Sequence, residues 1–262
     1  LPDPILLSVD DGLARVTLNR PARLNAFDAD LAGAWESVTT DVTSRDDVGA
    51  ILLSGAGPAF CAGGDVVAMA TTMGSPSDLE ALAHAIHRGI RALTESAVPV
   101  VAAVHGAVAG GGFGILLSSD YAVAAAGARI GSRYANVGLT PDLSVSAHLT
   151  RAVGERRALQ LVLSDRMLTA DEALDWGLVA EVVPDDALLA RAEAVARTWL
   201  DGATAAYGQA KRLVRSAPSR SFAEQLDEEA RTIAASFGTP EAQTRIAAFL
   251  RAAQDRATKE RA

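Results

Sequence analysis

The order of apolar and polar positions along this chain predicts most of its elements before any chemistry is considered. "ILLSV" (5–9) and "LARVTLN" (13–19) flank "DDG", the pattern of a β-hairpin closed by an Asp-Gly turn. From about Asp28, the residues Leu31, Trp35, Val38 and Val42 recur at helical steps, which predicts a helix with one buried face. "VGAILLSG" (48–55) reads as a buried strand ending in a glycine turn, and "GAGPAFCAGGD" (55–65) as a loop. Over 77–93, Leu79, Leu82, Ile86, Ile90 and Leu93 line one face of an amphipathic helix, with Ser77 and Glu80 as its capping box. "PVVAAV" (99–104) is an unbroken apolar run, the mark of a strand covered on both faces. "GGFGILLSS" (111–119) begins a helix and "DYAVAAA" (120–126) a further strand. Strand alternating with helix implies parallel pairing and an α/β core.

The pattern changes from about Leu143, where helical periodicity takes over and only "AEVV" (180–183) reads as a strand. Thr169 with Glu172 and Ser221 with Glu224 form capping boxes, and Thr239-Pro240 reads as an N-cap followed by a proline in the first helical position. No linker rich in Pro, Gly or Ser divides the chain. The expected organisation is a core over 1–195 and a helical extension over 196–262.

Composition narrows the function. Among 262 residues, 24 Lys and Arg stand against 32 Asp and Glu, a formal net charge of −8. Such a chain has no general attraction for nucleic acid or anionic lipid, so neither is an expected partner. The longest apolar stretch, 98–112, is interrupted by Pro99, His105 and glycines and is too short to span a membrane. Cys61 is the only cysteine, and no basic leader segment is visible, so a cytoplasmic setting is expected. Cys/His groups at zinc-binding spacing are absent, and no metal is expected.

The glycines of "VHGAVAGGGFG" (104–114) raise the chemical question. A phosphate loop would need a following lysine, and a dinucleotide fingerprint a different spacing after the first strand; both fit poorly. Two readings remain. One is a crowded strand-to-helix corner. The other is a helix N-terminus whose free N–H groups face a ligand oxygen. "FCAGGDV" (60–66) is a second glycine stretch after a predicted strand. Two such loops on neighbouring strand ends could aim two backbone N–H groups at one point, which is the geometry of an oxyanion hole.

"NRPARLNAF" (19–27), "GAGPAFCAGGD" (55–65), "PVVAAVHGAVAGGG" (99–112), "VGLTPD" (137–142) and "LTADEALDWGLVAEVVP" (168–184) occur in this order. Together they resemble the enoyl-CoA hydratase/isomerase family, the crotonase superfamily, over nearly the whole chain. The resemblance implies an α/β spiral of ββα turns with a C-terminal helical region that packs trimers, often paired as hexamers, and an acyl-CoA thioester as substrate. It implies no separate cofactor, since coenzyme A arrives as part of that substrate. The N–H groups of Gly64 and Gly111 would hold the thioester oxygen as it gains enolate charge. The thioester and its CoA would further meet Arg23, Ala26, Ala62, Asp65, Val66, Tyr134 and Lys211.

The sequence departs from the family's hydratases where they carry two water-holding glutamates. Those places hold Gly114 and Tyr134, and neither takes a proton readily at neutral pH. Asp142 remains at a position where isomerases of the superfamily carry an acid. One carboxylate suffices to move a proton from C2 to C4 of an enoyl thioester, which makes isomerisation the expected reaction. An atypical hydratase, a decarboxylase or a non-catalytic acyl-CoA-binding subunit are the alternatives. Asp142 also has a structural reading, as N-cap of a helix over "LSVSAHLTRAVG" (143–154). His84 reads as solvated and His105 as bonding a turn. His87 borders the apolar face of its helix, either lining the acyl pocket or satisfied at the boundary. His148 reads as helix surface, and Cys61 as a buried thiol. Asp65 reads as the cap of the helix that follows it, and Asp120 as structural. Met69 and Met73 suggest an adaptable apolar wall for the acyl group.

Overall fold

An Asp-Gly turn does close the first hairpin: β1 (Ile5–Asp10) pairs antiparallel with β2 (Leu13–Leu18), and Asp11 and Gly12 both take positive φ. The computed structural model describes residues 2–259. Asp28 caps α1 (Ala29–Ser44) by accepting from Leu31 N–H, and Leu31, Trp35 and Val42 are buried as their spacing requires. β3 (Ala50–Gly55) follows, then the short α2 (Val66–Thr72) and the long α3 (Pro76–Glu95). The capping box of α3 is formed by Ser75 and Asp78, two residues before the expected Ser77 and Glu80. Both pairs have the right spacing, but Pro76 supplies a fixed φ and starts the helix there.

β4 (Val100–Val104), β5 (Ala107–Ala109), α4 (Gly111–Ser118), β6 (Tyr121–Ala125) and β7 (Arg129–Gly131) complete the first half. The second contains α5 (Thr150–Val162), β8 (Leu168–Thr169), α6 (Ala170–Asp175), β9 (Glu181–Val183), α7 (Leu188–Asp201), α8 (Thr204–Ser216), α9 (Phe222–Phe237) and α10 (Pro240–Lys259). Six strands form one sheet in the order β1-β2-β3-β4-β6-β9, parallel except for the first pair. β5, β7 and β8 form a second sheet that the apolar pattern did not announce. Strands of two or three residues are too short to show a period.

Alternation along the central strands divides the interior. Ile51, Leu53, Val100 and Ala102 face α1 and α3, while Leu52, Val101, Ala103 and Val123 face Leu188, Ala192, Val195 and Ala196 of α7. The boundary expected between 195 and 196 therefore falls inside α7, a helix that packs on the large sheet. No helix among the described residues is long and apolar enough to cross a membrane.

Candidate active site

Two glycine loops are zipped together beyond the ends of β3 and β4. Cys61 bridges Val108, with Cys61 N–H donating to Ala107 O and Ala109 N–H donating to Cys61 O. Phe27 lies along the other side of the first loop: its N–H donates to Gly63 O at 2.7 Å, and its carbonyl accepts from Asp65 N–H at 2.9 Å. Pinning the residues on either side turns the N–H of Gly64 away from Phe27. Gly111 is the first residue of α4, where a helix has no internal acceptor for its N–H. Gly63 brings the loops into register, since a Cβ there would lie 3.2 Å from Gly111 N and 3.0 Å from Ala109 O. Gly112 packs so closely on Cys61 that a Cβ would overlap the Cys61 carbonyl.

Gly64 and Gly111 open on a cavity of about 510 Å³. Its apolar wall comes from Phe27, Met69 of α2, Leu79, Leu82 and Ile86 of α3, and Val137 and Leu139. Met73, the other methionine proposed for that wall, packs against the core instead. Tyr134 and Asp142 stand among the lining residues, with Ala62 and Val66. Arg23, Ala26 and Asp65 lie outside this lining, on the chain segments that flank it. Arg23 is exposed, and its charge helps to lower the Asp65 carboxyl. Asp65 accepts from Ala68 N–H at 3.0 Å and so caps α2 as expected.

Lys211 does not reach the cavity, and its expected contact with CoA is corrected. Its side chain is 4% exposed, and its ammonium donates to Leu93 O and Val98 O at 2.6 Å each and pairs with Asp120 Oδ2 at 2.9 Å. All three of its N–H groups are thereby committed to fastening α8 to the core.

Asp142 is not a helix cap. Leu143 and Ser144 after it take positive φ, 46° and 71°, and lead into a π-helical turn, Val145–Leu149, that receives no side-chain cap. The Asp142 side chain instead accepts a hydrogen bond from the Tyr134 hydroxyl, 2.5 Å from its Oδ1. Burial raises the carboxyl above its ordinary range, against the Tyr134 bond, which lowers it. Burial and the Asp142 charge also push the Tyr134 phenol far upward, so it stays protonated and donates. The left-handed pair is held from two sides: His87 Nε2 accepts from Leu143 N–H at 3.2 Å, and Ser144 Oγ donates to Gly114 O at 3.4 Å. A Cβ on Gly114 would overlap the Leu143 carbonyl oxygen. Where the family's hydratases carry a glutamate, this chain carries the backbone of its own turn.

The remaining candidates separate clearly. His105 Nε2 lies 2.8 Å from Gly57 O and ties the first loop, and His84 is exposed, 3.7 Å from Glu80. Cys61 is fully buried, which pushes its thiol up to about 12 and removes it from nucleophilic chemistry. His148 is half-buried rather than on the surface.

Sequence reasoning missed Arg20. Its guanidinium bonds Ala26 O, Asp28 at 2.5 Å and Asp65 at 3.3 Å, and so braces the loop that carries Gly64. The "NRP" segment in which it lies (19–21) was the available signal. His87 was seen as a possible wall of the pocket but not as a support for Leu143, because 56 residues separate them.

Comparison with known proteins agrees with this geometry. The enoyl-CoA hydratase/isomerase family model matches residues 8–256. A protein of Mycobacterium bovis named probable enoyl-CoA hydratase echA8 is 34% identical, over 95% of both chains. The 1,2-epoxyphenylacetyl-CoA isomerase of Escherichia coli is 33% identical, over 86% of this chain and 87% of its own. A 4-chlorobenzoyl coenzyme A dehalogenase of Arthrobacter is 33% identical, over 91% of this chain and 87% of its own. The crystal structure of an enoyl-CoA hydratase from Mycobacterium smegmatis superposes with a TM-score of 0.89 at 29% identity, over 95% and 96% of the two chains. The paired glycine loops with a carboxylate across the cavity, and a match that runs almost from end to end, have one meaning: the chain belongs to the enoyl-CoA hydratase/isomerase family and has its crotonase fold.

Proposed function

We propose that the protein shifts the double bond of an enoyl-CoA thioester between C3–C4 and C2–C3, with Asp142 carrying the proton. The observation behind this reading is the isolation of Asp142. It is the half-buried carboxylate of the cavity, while Glu80, the other one in the lining, is 74% exposed at the rim. Position 114 has no room for a second acid, and Tyr134 is already engaged with the first. The N–H groups of Gly64 and Gly111 would take the thioester oxygen. Asp142, ionised, removes a C2 proton; the electron pair moves into a dienolate held by the two N–H groups; the same carboxyl returns the proton at C4. Tyr134 occupies Oδ1 and leaves Oδ2 for this work. An oxyanion donor contributes about 3 kcal/mol to such a transition state, and a placed general base roughly 10²–10⁴-fold in rate.

A product assay tests the reading. Given 3-enoyl-CoA, the enzyme forms 2-enoyl-CoA; given 2-enoyl-CoA, it forms little 3-hydroxyacyl-CoA. Rapid hydration with no double-bond shift overturns the reading.

His87 favours one second reading. A carboxylate could attack an aryl carbon activated by the thioester, forming an aryl ester as chloride leaves, and water could then hydrolyse that ester to a phenol and the free carboxylate with a histidine nearby. The Arthrobacter relatives are named for the loss of chloride from a chlorobenzoyl thioester. Chloride release from 4-chlorobenzoyl-CoA separates this reading from isomerisation.

The oligomer belongs to the same proposal. Phe222, Ile233 and Phe237 of α9 and Phe249 of α10 are 80%, 71%, 62% and 67% exposed. Apolar surface of this extent supports a trimer or a dimer of trimers. Light scattering that finds only monomer at micromolar concentration contradicts it.

A further inference from the structure

A second hollow, of about 580 Å³, shares none of its lining residues with the thioester cavity. One part of its wall is apolar, from Leu116, Leu178, Val179 and Pro218; another carries His148, Arg151 and Arg215. A smaller hollow of about 250 Å³ is lined by the same His148, Arg151 and Arg215.

Counting donors shows what this basic end lacks. Arg215 Nε donates to Asp120 Oδ1 at 3.0 Å, and Nη2 donates to the carbonyls of Ser118 and Ser119. A guanidinium has five N–H groups, and the two on Nη1 take no part in these bonds. Arg151, exposed at the start of α5, enters none of the ion pairs found among the described residues. His148 Nδ1 is buried without a hydrogen-bond partner. Asp120 is the only carboxylate in the lining among the described residues, and Lys211 and Arg215 both pair with it. Glu95, in the smaller hollow, pairs with Arg91 at 2.9 Å. Positive charge is left in excess, free N–H groups of Arg151 and Arg215 have no acceptor among the described residues, and His148 Nδ1 has no partner.

Burial, with the charges of Arg215 and Arg151, brings the His148 imidazole down to about 4, so it is neutral at pH 7 and holds one ring proton. A proton on Nδ1 makes that buried atom a donor. A water there would satisfy one donor but would leave the charge unbalanced. An anion answers both needs, and charge-assisted bonds to arginine are the strong ones. The neighbouring leucines and valine favour an anion with a hydrocarbon body over a bare inorganic one.

We propose that this hollow binds a small organic carboxylate, whose oxygens take the free donors of Arg151, Arg215 and His148 and whose apolar body lies along Leu178 and Val179. The site is independent of the reaction proposed for the thioester cavity.

The test uses the full chain labelled with ¹⁵N-histidine, which has four histidines; His148→Gln identifies the signal of interest. The thioester cavity is first saturated with an unreactive acyl-CoA thioether. Hexanoate, acetate and inorganic phosphate are then titrated in turn. The expected result is saturable movement of the His148 ring signals, with hexanoate the tightest of the three. Arg151→Gln, an exposed change compatible with folding, weakens hexanoate by about tenfold or more. The proposal is overturned if the His148 signals do not move, if Arg151→Gln binds hexanoate as tightly as the parent, or if phosphate binds more tightly than hexanoate. Movement of the same signals with protein concentration alone also overturns it, because a second copy of the chain would then supply the acid.

Discussion

The Tyr134 hydroxyl stands 2.5 Å from Oδ1 of Asp142, a phenol held protonated against a carboxylate in an apolar cavity. Each group explains the other's state. Burial alone would drive both toward neutrality, and the hydrogen bond returns part of the cost to the ionised carboxylate.

Tyr134→Phe removes that bond. The Asp142 carboxyl then rises further, because the side chain donating to its ionised form is gone. A base must be ionised to work, so the acid limb of the kcat/KM profile moves to higher pH. Below that limb's midpoint the rate falls by roughly tenfold, the worth of a charge-assisted bond. An unmoved limb in Tyr134→Phe means that Asp142 is not the titrating base.

Gly114 is set by the turn after Asp142. Any side chain there meets the Leu143 carbonyl, which is backbone and cannot swing away. Gly114→Ala is expected to cost about 1–3 kcal/mol of stability by overpacking, measured by denaturant unfolding. Gly114→Glu is expected to lose isomerisation without gaining hydration, since the turn it displaces carries Asp142. A hydratase made by that single change would show that the turn adapts.

Lys211 is expected to matter for stability rather than for CoA. Lys211→Ala leaves Asp120 without one of its two cations and two carbonyls without a donor. Breaking a buried pair in this way costs about 3–5 kcal/mol. Acyl-CoA affinity, measured below the variant's unfolding temperature, stays within about threefold of the parent. A large loss of CoA affinity in a folded variant would return Lys211 to the binding site.

Much of this was legible before the fold was known, and the losses have physical causes. Long apolar runs such as "VVAAV" could be little else than central strands, and α1 carried its cap and its buried stripe in plain spacing. The two glycine loops stood out because each follows a strand, and the family resemblance pointed to Gly64 and Gly111 within them. The three-stranded sheet was hidden by strands too short to have a period. Asp142 kept a second reading as a helix cap because nothing in "DLSVS" warns that Leu143 and Ser144 take left-handed φ. Those angles are stabilised by His87 and by the close approach of Gly114, contacts made only in the folded chain. The error at His148 follows from the same turn, since a regular helix would have placed that residue outward.

Proton exchange at C2 of a bound acyl-CoA tests the central claim most directly. A saturated acyl-CoA has no double bond to move, yet an oxyanion hole with a base beside it still exchanges its C2 protons with solvent. In deuterium oxide, the parent enzyme is expected to incorporate deuterium at C2. Asp142→Asn, which keeps the shape and loses the basicity, should bind the same thioester and exchange about 10²-fold more slowly or less. Exchange at the parent rate in Asp142→Asn, with the thioester bound, would contradict the assignment of Asp142 as the proton carrier.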